Sequence, residues 1–168
     1  MVSRVIARWI LIFTAALQVV SINTQTQLET RISDFEASQI HDSNVDILAK
    51  LVYGEARGCS TTEQAAVIWC VLNRVDAGYA DGTIWGVVTQ KGQFTGYRAT
   101  NPVLTTHREL AIDVLKRWYR EKRGVEDVGR VLPKAYKYFS GDGKHNYFRP
   151  EYNSPVRWDW SLPSPYGN

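Results

Sequence analysis

The apolar pattern that organises the chain runs from Leu48 to Val75. Leu48, Leu51, Val52 and Glu55 recur at i, i+3, i+4 and i+7, the spacing of one helical face. Three are apolar and the fourth is an acid, placed at the last turn before Gly58. Ser43 with Asp46 three residues on resembles a capping box, so this helix is predicted from about Ser43 to Arg57, with Gly58 as a left-handed stop. A second helix is predicted from Ser60 or Thr61, each followed three residues later by an acid or amide, Glu63 or Gln64. Ala65, Ile68, Trp69, Leu72 and Val75 form its apolar stripe. Asn73 and Arg74 lie at its end, and residues 76–82 read as a loop punctuated by Gly78 and Gly82.

Residues 84–89 are apolar and short, one or two helical turns. Residues 90–97, Gln-Lys-Gly-Gln-Phe-Thr-Gly-Tyr, combine two glycines, two amides and two aromatics. That composition suits an ordinary connector or a loop that contacts something. The longest helix is predicted over residues 105–123, with Leu110, Ala111, Val114, Leu115 and Trp118 inward. Its other faces are rich in Arg and Lys. Such a run is usually a solvated face, and less often a patch for an anionic polymer. Beyond Gly124 the pattern turns to β, with residues 136–139 and 146–148 flanking a Gly-Asp-Gly turn as a hairpin. Residues 152–168 read as an irregular wrap over the core.

The N-terminus has a different pattern. Arg4 and Arg8 precede an apolar run from Trp9 to Val20, broken only by Thr14 and Gln18. A basic start and about a dozen apolar residues suit a secretory signal, and the run is short of the roughly 20 needed to span a bilayer. Residues 1–21 are therefore expected to be a signal peptide or an uncleaved signal anchor, with a buried domain helix as the alternative, and the protein is expected to be exported. Residues 22–42 read as a linker or loose helix, with Leu28, Ile32 and Phe35 on one face. Residues 43–168 make the domain, one unit being the expectation for 168 residues.

Composition narrows the chemistry. A net charge of +3 permits attraction to an anionic surface without calling for nucleic acid. No nucleic-acid partner is expected, and no membrane contact beyond the possible N-terminal anchor. The oligomeric state stays open. Six Trp and nine Tyr make the chain rich in amphipathic rings; many will pack in the core, and a surplus also suits a groove for sugar or peptide. Cys59 and Cys70 would lie roughly 14–16 Å apart along one helix at 1.5 Å per residue, too far for a disulfide. Both read as small buried hydrophobes.

No HExxH, GxSxG, P-loop or dinucleotide fingerprint occurs, and no CxxC. His41, His107 and His145 are isolated, so no metal and no cofactor is expected. A Cys/His nucleophile pair, Cys59 or Cys70 with His145, is left open by spacing but has no local signature. What remains is acid chemistry on Glu55. An acid on an apolar stripe is desolvated, and the helix C-terminus opposes negative charge, so both effects raise its pKa. That is the environment of a general acid. The competing reading is a helix-end acid paired with Arg57 or another arginine. Glycosidic cleavage in its common form uses two carboxylates. Glu63, Asp76, Asp81, Asp142 and Glu151 are candidates for a second, unranked by sequence. A lytic transglycosylase needs only one, because a hydroxyl of the same sugar closes the ring.

Leu-Ala-Lys-Leu-Val-Tyr-Gly-Glu-Ala-Arg-Gly at 48–58, Glu-Gln-Ala-Ala-Val at 63–67, Val-Leu-Asn-Arg-Val at 71–75, Gly-Val-Val at 86–88 and Gly-Gln-Phe at 92–94 resemble, in order and spacing, the SleB/CwlJ family of cell-wall hydrolases. Tyr138-Phe139 and His145-Asn146-Tyr147-Phe148 look like that family's aromatic C-terminal hairpin. The resemblance covers about Ser43 to Phe148, while the Trp-rich tail departs from the spore-cortex members. It implies an α+β, lysozyme-like fold, mainly helical with a small C-terminal β-hairpin, and peptidoglycan as the partner. It also implies cleavage between N-acetylmuramic acid and N-acetylglucosamine, as lytic transglycosylase or muramidase, with Glu55 as the general acid. Tyr53, Gln93, Phe94, Tyr138 and Asn146 are the substrate-binding candidates, since hydroxyls and amides suit sugar hydrogen bonds and ring faces suit stacking. The alternatives are a non-catalytic peptidoglycan-binding protein that keeps the fold, and an amidase on the peptide stems.

Overall fold

The computed structural model describes residues 17–28, 30–31 and 40–167. The chain divides into two units, Met1–Gln39 and Ile40–Asn168. In the first, residues 17–28 and 30–31 are helical. Thr24, Thr26 and Thr30 each donate a hydroxyl to the carbonyl four residues back. The helix thus runs through residue 21, where the leader is expected to end. The basic start of that leader, and the face proposed for Ile32 and Phe35, lie outside the described residues. Among the described residues no helix is long and apolar enough to cross a membrane.

The second unit contains α1 (Asp42–Ala56), α2 (Thr61–Asp76), α3 (Ile84–Thr89), α4 (Thr105–Lys122), β1 (Tyr138–Gly141) and β2 (Asn146–Arg149). It is a mixed α+β unit, mainly helical, and its two strands form a small antiparallel hairpin. α2 is the centre. Every residue from Ala65 to Leu72 is fully buried, so the expected stripe is instead a helix enclosed on all sides. The other helices pack around it, and Val131, Leu132 and Phe148 complete the shell. The predicted inward face of α4 is buried as expected. Val75, assigned to the α2 stripe, is only half-buried.

The helix ends differ from expectation in detail. α1 starts one residue early, with His41 at the cap position and no side-chain cap. Asp42 and Asp46 turn instead to Arg108 on α4, at 2.5 and 3.4 Å. Gly58 is not left-handed; the chain leaves α1 through Arg57 in a right-handed conformation. Ser60 does cap α2, its hydroxyl accepting the Glu63 N–H at 3.3 Å. The basic face of α4 is largely stitched down. Besides Arg108, Arg117 pairs with Asp113 at 2.7 Å, and Lys122 pairs with Asp76.

The end of α2 sets the position of the hairpin. Buried Asn73 donates to the carbonyls of Pro133 (2.9 Å) and Tyr136 (2.8 Å) and accepts from Arg130 (2.7 Å). The next residue, Arg74, donates through Nε to the Lys137 carbonyl at 2.6 Å. These bonds hand the chain into β1. The hairpin pairs Tyr138 with Arg149 and Gly141 with Asn146. Asp142 closes its turn by accepting the Lys144 and His145 N–H groups, both at 2.8 Å. After β2 the chain is irregular, as expected. The Trp158 indole donates to the Val131 carbonyl at 3.0 Å, and the Tyr166 hydroxyl to Asp113 at 2.8 Å. Cys59 and Cys70 are both free thiols, the first half-buried and the second fully buried.

Candidate active site

The last turn of α1 carries Glu55 into the wall of an open cavity of about 530 Å³. The segment 54–59 forms one side of it, and Thr95, Gly141 and residues 143–146 supply the rest. Glu55 Oε1 accepts the Gly96 N–H at 2.6 Å. Burial raises its pKa, and the Gly96 and Tyr97 amides with the Arg98 guanidinium pull the other way without cancelling it. The helix-end ion pair with Arg57 does not form. Arg57 instead donates to the Tyr53 carbonyl at 3.2 Å and lies over the Tyr53 ring.

Two glycines bring the 90–97 loop against the acid. A Cβ on Gly54 would lie 2.0 Å from the Gly96 carbonyl oxygen, and a Cβ on Gly96 would lie 2.3 Å from that of Gly54. Neither glycine has a positive φ, so what each supplies is room for backbone-to-backbone approach. Asn101 clamps the junction, its amide donating to the Lys50 and Gly96 carbonyls, both at 3.0 Å. The loop is thereby fixed to the acid through its Gly96 N–H.

The other candidates separate into groups. Asn146 lines the Glu55 cavity but is only 5% exposed. Its amide donates to the Glu55 carbonyl at 3.2 Å, so it braces the acid's backbone. Gln93, Phe94 and Tyr138 gather around Arg74, which sequence reasoning passed over. Arg74 is buried, with its guanidinium over the Phe94 ring at 4.9 Å and the Tyr138 ring at 5.0 Å. Its Nη1 donates to Gln93 Oε1 at 2.9 Å. Gln93 itself is exposed, whereas Phe94 is buried against Phe139, so Phe94 supports the wall from behind. This cluster meets the Glu55 cavity through shared elements, since β1 runs from Tyr138 to Gly141 and the loop from Gln93 to Gly96. Tyr53 is placed elsewhere, edge-on to His107. Two residues along a helix turn about 200°, which takes it off the Glu55 face.

Four of the five further carboxylates do structural work or stand exposed. Asp76 accepts the Trp118 indole N–H at 3.1 Å, and Asp81 holds Thr83 at the start of α3. Asp142 holds the hairpin turn, and its three donors lower its pKa to about 2. Glu151 is exposed. Glu63 is different. It is 5% exposed, its Oε1 accepts the Asn146 N–H at 2.5 Å, and its Oε2 lies 3.3 Å from His145 Nδ1. Cys59 shares the cavity, but burial and the Glu63 carboxylate push its thiol up to about 12, which disfavours a thiolate. Both Arg74 and Glu63 fall inside the motif blocks at 63–67 and 71–75, and Glu63 was a candidate second carboxylate, but the sequence gives neither residue's partners.

Comparison with known proteins adds a family. Two spore cortex-lytic enzymes of Bacillus cereus are each 26% identical over 124 residues, 72% of this chain. The chain spans 40% of the length of each. No solved structure matches it. The family model described as Cell Wall Hydrolase matches residues 58–159. That span takes in Cys59, Glu63, Arg74, Gln93, Tyr138, His145 and Asn146, and begins three residues after Glu55. Since it covers more than half of the sequence, the chain belongs to the Cell Wall Hydrolase family.

Proposed function

We propose that this chain cleaves the glycan strand of peptidoglycan between N-acetylmuramic acid and N-acetylglucosamine, with Glu55 as the general acid. One observation carries the reading. Glu55 is a half-buried carboxylate in the wall of an open cavity, its pKa raised by burial and one oxygen held by a backbone N–H. With Oε1 engaged by Gly96, the proton is carried on Oε2. Protonated Glu55 gives that proton to the glycosidic oxygen as the C1–O bond breaks. A hydroxyl of the same sugar then closes an anhydro ring, or water adds. Gln93, its carbonyl fixed by Arg74, offers its NH₂ group to sugar oxygens, and Tyr138 offers ring and hydroxyl. The wider reading follows from the substrate: a lysozyme-like catalytic domain over residues 43–168, carried out of the cytoplasm by a leader at 1–21 and joined to it by 22–42.

Glu55→Gln preserves shape and removes the proton. Incubated with purified cell walls, this variant is expected to release no glycan fragments, and near wild-type release would sink the mechanism. Mass spectrometry of the wild-type products separates the chemistries: anhydro-muramic ends mean transglycosylase, reducing muramic ends mean hydrolysis, and freed peptides mean amidase. The amidase reading has one observation in its favour, since Cys59 and His145 line the same cavity. The raised thiol pKa argues against it.

A further inference from the structure

The Glu63–His145 pair has no part in the reading above, yet it is built like a held base. Glu63 stands in the first turn of α2, where a carboxylate ordinarily reaches back to the cap. Here the side chain is buried under β2, with each oxygen separately engaged by Asn146 N–H and by the His145 ring. Since an ionised carboxylate only accepts, His145 donates through Nδ1–H, and in the neutral ring Nε2 then carries the lone pair. Among the described residues Nε2 has no partner, and the side chain is 66% exposed. The backbone under the ring is fixed as well, because Asp142 accepts the His145 N–H. His145 and Glu55 line one cavity.

We propose that His145 is the second proton carrier of the cleavage, a base held in orientation by Glu63; this rests on Glu55 being the acid. Glu55 Oε2–H protonates the leaving oxygen as the bond from C1 to that oxygen breaks. The attacking oxygen, from water or from a hydroxyl of the same sugar, forms the new bond to C1. Its proton passes to His145 Nε2. The imidazolium is stabilised by the Glu63 carboxylate on the opposite nitrogen. Solvent then returns one proton to Glu55 and removes one from His145, restoring both groups. No oxidant, metal or further reactant enters the balance. Glu63 is a positioning residue in this scheme: Oε2 orients the ring, while Oε1 keeps the Asn146 N–H, a bond that the Oε1 of glutamine can also accept.

The test measures fragment release from purified peptidoglycan by Glu55→Gln, His145→Ala, Glu63→Gln and the His145→Ala/Glu63→Gln double variant. The His145 ring is mostly exposed, so its removal leaves the fold intact, as circular dichroism would verify. His145→Ala is expected to lose about 100-fold or more in kcat, the ordinary contribution of a positioned base. Added imidazole is expected to restore part of that loss, since the vacated space opens to solvent. Glu63→Gln is expected to slow the native enzyme but to cost nothing further in the His145→Ala background, the signature of one residue acting through another. An inactive Glu55→Gln beside a fully active His145→Ala would overturn this inference and leave the acid standing. A slow His145→Ala that imidazole does not rescue would make the residue a brace and also overturn it. An active Glu55→Gln would remove the acid and this proposal together.

Discussion

The close approach of Gly54 and Gly96 makes the most demanding prediction. Alanine at Gly96 places a Cβ 2.3 Å from the Gly54 carbonyl oxygen, and ordinary contact begins at 3.4 Å. The loop must therefore retreat by about 1.1 Å. The Gly96 N–H to Glu55 bond, now 2.6 Å, lengthens by a comparable amount and passes out of hydrogen-bonding range. A bond to a charged group is worth about 1.5–3 kcal/mol, and it favours the ionised acid, so its loss drives the Glu55 pKa higher still. Overpacking adds its own penalty, and the variant is expected to be less stable by about 1–3 kcal/mol. A displacement of about 1 Å at an acid costs on the order of 100-fold in rate. Gly54→Ala meets a nearer clash, 2.0 Å, and is expected to behave alike, less about 1 kcal/mol regained by alanine inside a helix. Gly58 is the internal comparison. It lies in the same segment, but a Cβ there meets nothing within 4 Å and its φ is not left-handed. Gly58→Ala is expected to leave stability unchanged or raise it by about 0.4–1 kcal/mol. Urea unfolding followed by tryptophan fluorescence, with fragment release from cell walls, reads both effects. Wild-type melting and turnover in Gly54→Ala and Gly96→Ala, or equal damage from Gly58→Ala, would refute the close-approach argument.

Three further outcomes follow from the same geometry. Burial raises the folded-state pKa of Glu55 above its ordinary value of 4.5, so ionisation costs stability above the raised pKa and nothing below about 4.5. Glu55→Gln should therefore melt higher than wild type at neutral pH, with the gap closing as pH falls; a gap independent of pH would contradict this. Arg74→Lys keeps the charge but loses the planar group between Phe94 and Tyr138 and the two-point hold on Lys137 and Gln93, at a cost of about 1.5–3 kcal/mol in urea unfolding. Cys59→Ser should release glycan fragments within about twofold of wild type, because a thiol at about 12 is inert at neutral pH; a dead variant that still folds would revive the thiol mechanism.

Local pattern alone determined most of the elements. Residues 84–89, the inward face of α4 and the aromatic hairpin follow from short-range periodicity and turn residues, which depend on neighbours in sequence. Periodicity also set Glu55 on the apolar stripe of α1 and gave the direction of its pKa. It misjudged α2, although eight consecutive residues without a charge already point to a helix buried all round. What only the tertiary structure decided is what each polar group meets. Glu63 could have capped its own helix and instead lies under β2, more than 80 residues away in sequence. Arg74 could have been a helix-end cation and instead organises Gln93, Phe94 and Tyr138. Tyr53, two residues from the acid, is turned off its face, while Gly96, 41 residues away, binds it. Apolar burial is non-directional and leaves a periodic trace in the chain. A hydrogen bond is satisfied by whichever donor or acceptor the fold brings within reach, and that partner leaves no mark on the local sequence.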